Sequence, residues 1–154
     1  MSNIILNVII IAVIFLPMAY FMLSGNKEKS SIKFLQDKLK LFHVIPDTIG
    51  CFQSGGIALD KGKSELYFYQ YEGEVFTKIA CSEIDKADVE KLYQNEIAHG
   101  HDINMLKSVS IIIKLKDKSE VKLPVYNASK YPNVGLDLLE SVRWSQLINK
   151  VVSK

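Results

Sequence analysis

An uncharged run of twenty residues, Ile4 to Leu23, constrains this chain more than any other feature of it. As a helix rising about 1.5 Å per residue, the run is long enough to cross the roughly 30 Å hydrocarbon core of a bilayer. The first charged side chain is Lys27, so all 19 Lys and Arg and all 17 Asp and Glu fall after the run. The division predicts a transmembrane anchor over residues 1–25, a linker and juxtamembrane helix over 26–46, and one folded domain over 47–154. The charged remainder, about 125 residues, supports a single hydrophobic core.

A cleaved signal peptide is the competing reading of the run. Met1-Ser2-Asn3 carries no Lys or Arg, the apolar stretch exceeds a usual signal core, and Phe21-Met22-Leu23-Ser24-Gly25 offers no clear small-residue cleavage site. These features favour a retained anchor. Lys27, Lys29, Lys33, Lys38 and Lys40 follow the run and no Lys or Arg precedes it, which predicts an N-out, C-in protein of the plasma (inner) membrane with its domain in the cytoplasm. Asn7 offers a hydrogen bond to a second copy of the span, a route to a homo-oligomer, or else sits at headgroup level.

Beyond a polar linker, Ile32, Leu35, Leu39 and Phe42 recur at helical spacing, with Phe34 and Leu41 nearly opposite. A helix apolar on two sides would touch lipid with one and its own domain with the other, or be buried wholly against the domain. After Pro46-Asp47 the period changes to strands, expected at Thr48–Gln53, Gly56–Leu59, Glu65–Gln70, Glu74–Cys81, Ala87–Gln94, Val109–Leu115 and Glu120–Val125. Asp60-Lys61-Gly62-Lys63 and Tyr71-Glu72-Gly73 read as hairpin links with a glycine to accept positive φ, and Lys116-Asp117-Lys118-Ser119 as a third turn. Asn95–Lys107 lacks strand pattern and is expected to be a loop. Leu136, Trp144, Leu147, Ile148, Val151 and Val152 then gather on one side of a C-terminal amphipathic helix. Seven short strands followed by one helix is an α+β order.

Three stretches carry a family likeness. They are Gly55-Gly56-Ile57-Ala58-Leu59-Asp60 with Leu66-Tyr67-Phe68 after a charged turn; Cys81-Ser82-Glu83-Ile84; and Ser110-Ile111-Ile112-Ile113-Lys114-Leu115 followed by Val121-Lys122-Leu123. With Trp144 on the last helix, the chain from about Thr48 to Val152 resembles the bacterial pleckstrin-homology-like (PH-like) domains of small membrane-anchored and phage-associated proteins. The resemblance implies a seven-stranded, partly open barrel capped by the C-terminal helix.

Few residues suggest chemistry. His99-Gly100-His101-Asp102, with Glu96 upstream, has metal-ligand residue types, but two histidines around a glycine lack the preorganisation a zinc site needs. Cys51 and Cys81 sit in strand patterns, suit a reducing compartment, and neighbour no histidine in sequence. No nucleotide-cradling glycine loop is present. No enzyme, metal site or cofactor is expected. Net charge is +2, which argues against nucleic acid as a partner. Lys27, Lys29, Lys33, Lys61 and Lys63 are the candidate contacts to anionic lipid, although two lysines and no arginine in the 60–63 turn make a poor bidentate phosphate clamp.

The sequence therefore predicts a single-pass, non-catalytic PH-like interaction module that holds a protein partner at the cytoplasmic face of the bilayer. The alternatives are an anionic-lipid sensor and, by family analogy, a phage or prophage membrane factor of the superinfection-exclusion type.

Overall fold

Alternation of side chains across the strands builds the core from both sides of one sheet. The computed structural model describes residues 31–98 and 101–153. The expected anchor, Lys27 and Lys29 lie outside these residues, as do His99 and Gly100. Residues 31–41 form helix α1. Then follow β1 (Thr48–Cys51), β2 (Gly55–Asp60), β3 (Glu65–Gln70), β4 (Val75–Ala80), β5 (Ile84–Ala98), β6 (His101–Leu115), β7 (Glu120–Asn127) and helix α2 (Asp137–Val152). The strands pair antiparallel in chain order as a four-stranded sheet, β1-β2-β3-β4, and a three-stranded sheet, β5-β6-β7. The fold is α+β. Among the described residues no helix is long and apolar enough to cross a membrane.

In β2 and β3, Ile57, Leu59, Leu66 and Phe68 face the second sheet, where they join Ile84, Val109, Ile111, Ile113, Leu123, Val125, Trp144 and Ile148 in the main core. The intervening Ala58, Tyr67 and Tyr69 face the other way and meet Leu35, Leu39 and Val44 in a second cluster under α1. The four-stranded sheet is thus covered on both faces, which is why every residue of β2 is buried. Two glycines let the helices approach. A Cβ on Gly56 would overlap the Leu35 side chain of α1, and a Cβ on Gly50 would overlap the Trp144 indole of α2.

The buried stripe of α2 is Asp137, Ser141, Trp144, Ser145 and Ile148. Its small serines bring the helix close to the sheets, and their hydroxyls are satisfied three residues back, Ser141 Oγ donating to Leu138 O (2.8 Å) and Ser145 Oγ to Val142 O (2.9 Å). Asn149 clamps the edge of β5: its Oδ1 accepts from Ala87 N (2.8 Å) and its Nδ2 donates to Ala87 O (2.9 Å).

Several expectations need correction. The segment Asn95–Lys107 is not a loop: β5 and β6 each run 15 residues and stay paired as far as Ala98 and His101. Cross-strand backbone pairing carries the strands through residues whose side chains show no apolar alternation. The strand expected at Ala87–Gln94 is therefore only the middle of β5. Gly62 does not take positive φ; Ser64 does (φ 54°), whereas Gly73 does so as expected (φ 74°). Leu136 is not on the buried stripe. It precedes the first residue of α2 and is 70% exposed. Phe42 lies past the end of α1 and stacks on Phe76 (centroids 4.2 Å apart, planes 7°) instead of joining Leu35 and Leu39.

Candidate functional site

Beyond the three-stranded body, the β5–β6 hairpin continues as a two-stranded arm. β7 accompanies β6 only from Ser108 to Lys114. A last link, Ala128 N to Lys107 O (2.9 Å), closes the body. Further out, residues 93–98 and 101–106 pair only with each other, through Tyr93↔Leu106, Gln94↔Met105 and onward to Ala98↔His101. Both edges of this arm present backbone N–H and C=O groups with no third strand among the described residues. A register shift between Leu92 and Tyr93 marks its base, and such bulges increase local twist and re-aim side chains. Leu92, Tyr93 and Met105 are 44%, 56% and 51% exposed. At the root lies a groove of about 420 Å³, with Gln94, Met105 and Leu106 on the arm facing Tyr126, Ser129 and Pro132 on the body.

Of the expected lipid-contacting lysines, the three among the described residues, Lys33, Lys61 and Lys63, do not gather at one end of α1. Lys33 lies near the start of α1, while Lys63 Nζ donates to His43 O (2.9 Å) just past that helix's end. The two ends are separated by roughly 15 Å at helical rise. In the 60–63 turn, Lys61 N donates to Asp47 Oδ2 (2.6 Å) and Lys63 N to Asp60 Oδ1 (3.0 Å), so carboxylates shape the turn. Lys61 instead faces Lys150 across a groove of about 410 Å³ floored by Leu147 and Val151.

Cys51 packs in the α1 cluster and Cys81 in the main core, with the four-stranded sheet between them, and no disulfide joins them. Burial pushes the Cys81 thiol pKa up, away from nucleophilic use. Glu96, His101 and Asp102 lie on the backbone of the arm. Among the described residues no three His, Cys, Asp or Glu side chains converge as metal ligands.

Three perturbed groups serve the fold. Glu65 is held below its usual range first by Lys78 Nζ (2.6 Å) and then by the Tyr67 hydroxyl, and burial with the Glu65 contact pushes the Tyr67 pKa up. Asp137, buried at the start of α2, is pushed up to about 6 by that burial, against the hydrogen bond its Oδ2 accepts from Gln53 N (3.3 Å).

The sequence reasoning missed the arm. The signal was present: two residues, His99-Gly100, separate the paired Ala98 and His101, and an X-Gly pair between two strands is a short-hairpin signature. No protein family, curated protein or solved structure matches the chain.

Proposed function

We propose that the chain is a membrane-tethered, non-catalytic interaction module of the PH-like class, and that the β5–β6 arm is the element that meets its protein partner. The observation that carries this reading is the arm itself: a two-stranded ribbon with both edges open among the described residues, Tyr93 and Met105 exposed on it and Leu92 exposed at its base. An isolated two-stranded hairpin is marginal in water, and an added strand would complete its hydrogen bonding while the exposed side chains supply apolar contact. Supporting the PH-like reading are the four- and three-stranded sheets in chain order and the C-terminal helix with Trp144 between them. Supporting the tether is the Ile4–Leu23 run with lysines following it.

A photo-crosslinking residue placed at Tyr93 or Met105 of the full chain, in its native membrane, is expected to give a discrete adduct with one protein species. The same residue at Lys118, in the turn after β6, should not. Equal adducts from all three positions, or none from the arm, would sink the assignment. The tether is checked separately: protease added outside intact cells should spare the domain, and digestion from outside would reverse the orientation.

A second reading has one observation behind it. Lys61 and Lys150 flank the apolar groove of Leu147 and Val151, a pairing suited to an anionic lipid. It predicts salt-sensitive attachment to anionic vesicles that a Lys61→Gln, Lys150→Gln double variant loses.

A further inference from the structure

Phe34 of α1, Tyr69 of β3 and Tyr71 just after β3 form a mutually contacting trio of rings. The centroids are 6.1 Å apart for Phe34 and Tyr69, 5.9 Å for Phe34 and Tyr71, and 6.1 Å for Tyr69 and Tyr71, with planes inclined at 57° to 69°. Beside them opens a recess of about 330 Å³, lined by these rings, Ser31 and Glu74. The Tyr69 ring is buried, and its hydroxyl makes no hydrogen bond of ordinary geometry among the described residues.

The chemistry of that lining is selective. Ring faces carry negative potential and attract cations, and Glu74 adds a full negative charge. Anions are repelled from both. A purely apolar ligand would leave the carboxylate unused. The molecule already displays the preference: the Lys38 ammonium stands 5.5 Å from the Phe34 centroid, 5.7 Å from the Tyr69 centroid and 3.5 Å from Glu74 Oε1. Glu74 is the largest cause of the raised Lys38 pKa. This internal ammonium, beside the rings and Glu74, is weakly held. It sits on a flexible stem, and its carboxylate partner is 72% exposed, so solvent screens the pair.

We propose that the Phe34–Tyr69–Tyr71–Glu74 recess is a binding site for an alkylammonium group, for which the Lys38 ammonium is a tethered, displaceable stand-in. Either a small quaternary amine in solution or the ammonium headgroup of a zwitterionic phospholipid carries this chemistry. The recess itself does not depend on the interaction-module reading. The lipid source does depend on the tether, because Ser31 stands eight residues after Leu23, the end of the apolar run.

The test uses the full chain, isotope-labelled, in maltoside micelles, titrated with choline chloride and with tetramethylammonium chloride against equal sodium chloride. Saturable amide shifts confined to residues 31–38 and 69–74 are expected. Lys38→Met, which removes the competing ammonium, should bind at least about threefold more tightly, and Glu74→Gln at least about fivefold more weakly. Glu74 is exposed, so that variant keeps the fold. Nanodiscs separate the sources. If the choline shift pattern is already present in phosphatidylcholine discs and absent from phosphatidylglycerol discs, the occupant is the headgroup. If it appears in both only on adding choline, the occupant is a soluble amine. No saturable shift in either the wild type or Lys38→Met, or shifts equalled by sodium chloride, would overturn the site and leave Lys38 as a staple between α1 and the sheet.

Discussion

The two halves of the β5–β6 hairpin share one ladder of hydrogen bonds and almost nothing else. In the root, Ile84, Ala87, Val109, Ile111 and Ile113 are buried under α2 and the facing sheet. β7 pairs along β6 there, and Asn149 closes the outer edge of β5 at Ala87. In the arm, Tyr93–Asn95, Asn104 and Met105 are exposed and neither edge is paired among the described residues. Packing fixes the root, whereas the arm is held by its ladder and its attachment. The difference teaches that strand length alone does not mark structural importance. The root belongs to stability, and the arm is free to serve contact.

The largest expected effect falls on the core that holds the root. Trp144 is 2% exposed and fills the space left by Gly50, so Trp144→Ala should cost about 3–5 kcal/mol, enough to unfold a marginal domain. Denaturant unfolding of the full chain measures it. A variant of near wild-type stability would mean that α2 does not anchor the root.

Next comes the clamp on the edge of β5. Asn149→Ala leaves both polar groups of Ala87 without their side-chain partner, and should destabilise by about 2 kcal/mol. Hydrogen exchange at Ala87 should rise above that at Ile111. A change confined to the arm amides would instead show that the clamp supports the arm.

A smaller and pH-dependent effect is expected at the other end of α2. The folded pKa of Asp137, about 6, lies above its unfolded value of about 3.9. Between those values the folded chain holds a proton that the unfolded chain has released, so stability from this group is gained as pH falls through about 6 and is fully present below about 4. Asp137→Asn keeps an acceptor for Gln53 N, should flatten that slope, and should leave the protein about 1 kcal/mol more stable at pH 7. A loss of stability at pH 7 would show that the carboxylate's interaction with the α2 N-terminus outweighs its burial.

How much of this comparison was legible in the sequence depends on what each residue is packed against. Ile57, Leu59, Leu66 and Phe68 alternate with Ala58, Tyr67 and Tyr69 because the sheet is covered on both sides, and β2 and β3 were placed within a residue of their ends. Trp144 and Ile148 were legible because a helix packing on sheets repeats its apolar side chains with its turn. The arm was not legible, since Gln94, Asn95 and Asn104 contribute no apolar period and the pairing that holds them is backbone to backbone. Leu136 misled because its apolar character continues the pattern of α2 one step before the helix begins, while the buried position belongs to Asp137. The aromatic recess was hidden for another reason: Phe34 and Tyr69 are 35 positions apart in sequence, and only the seating of α1 on the sheet joins them. Lys61 and Lys63 were visible as a basic turn, but the Lys63 contact to His43 was not.

The smallest expected effect on stability is at the base of the arm, and it tests the account most directly. A full chain carrying Leu92→Ser, Tyr93→Ser and Met105→Ser together removes the exposed apolar groups of the arm and its base and touches nothing in the core. Surface changes of this kind usually stay within about 0.5 kcal/mol each. The measurement pairs the unfolding midpoint of this variant with its yield of the adduct formed from a crosslinker at Gln94. The account predicts a midpoint close to wild type and loss of the adduct. An unchanged adduct, or unfolding comparable to Trp144→Ala, would contradict the division of the hairpin into a structural root and a contact arm.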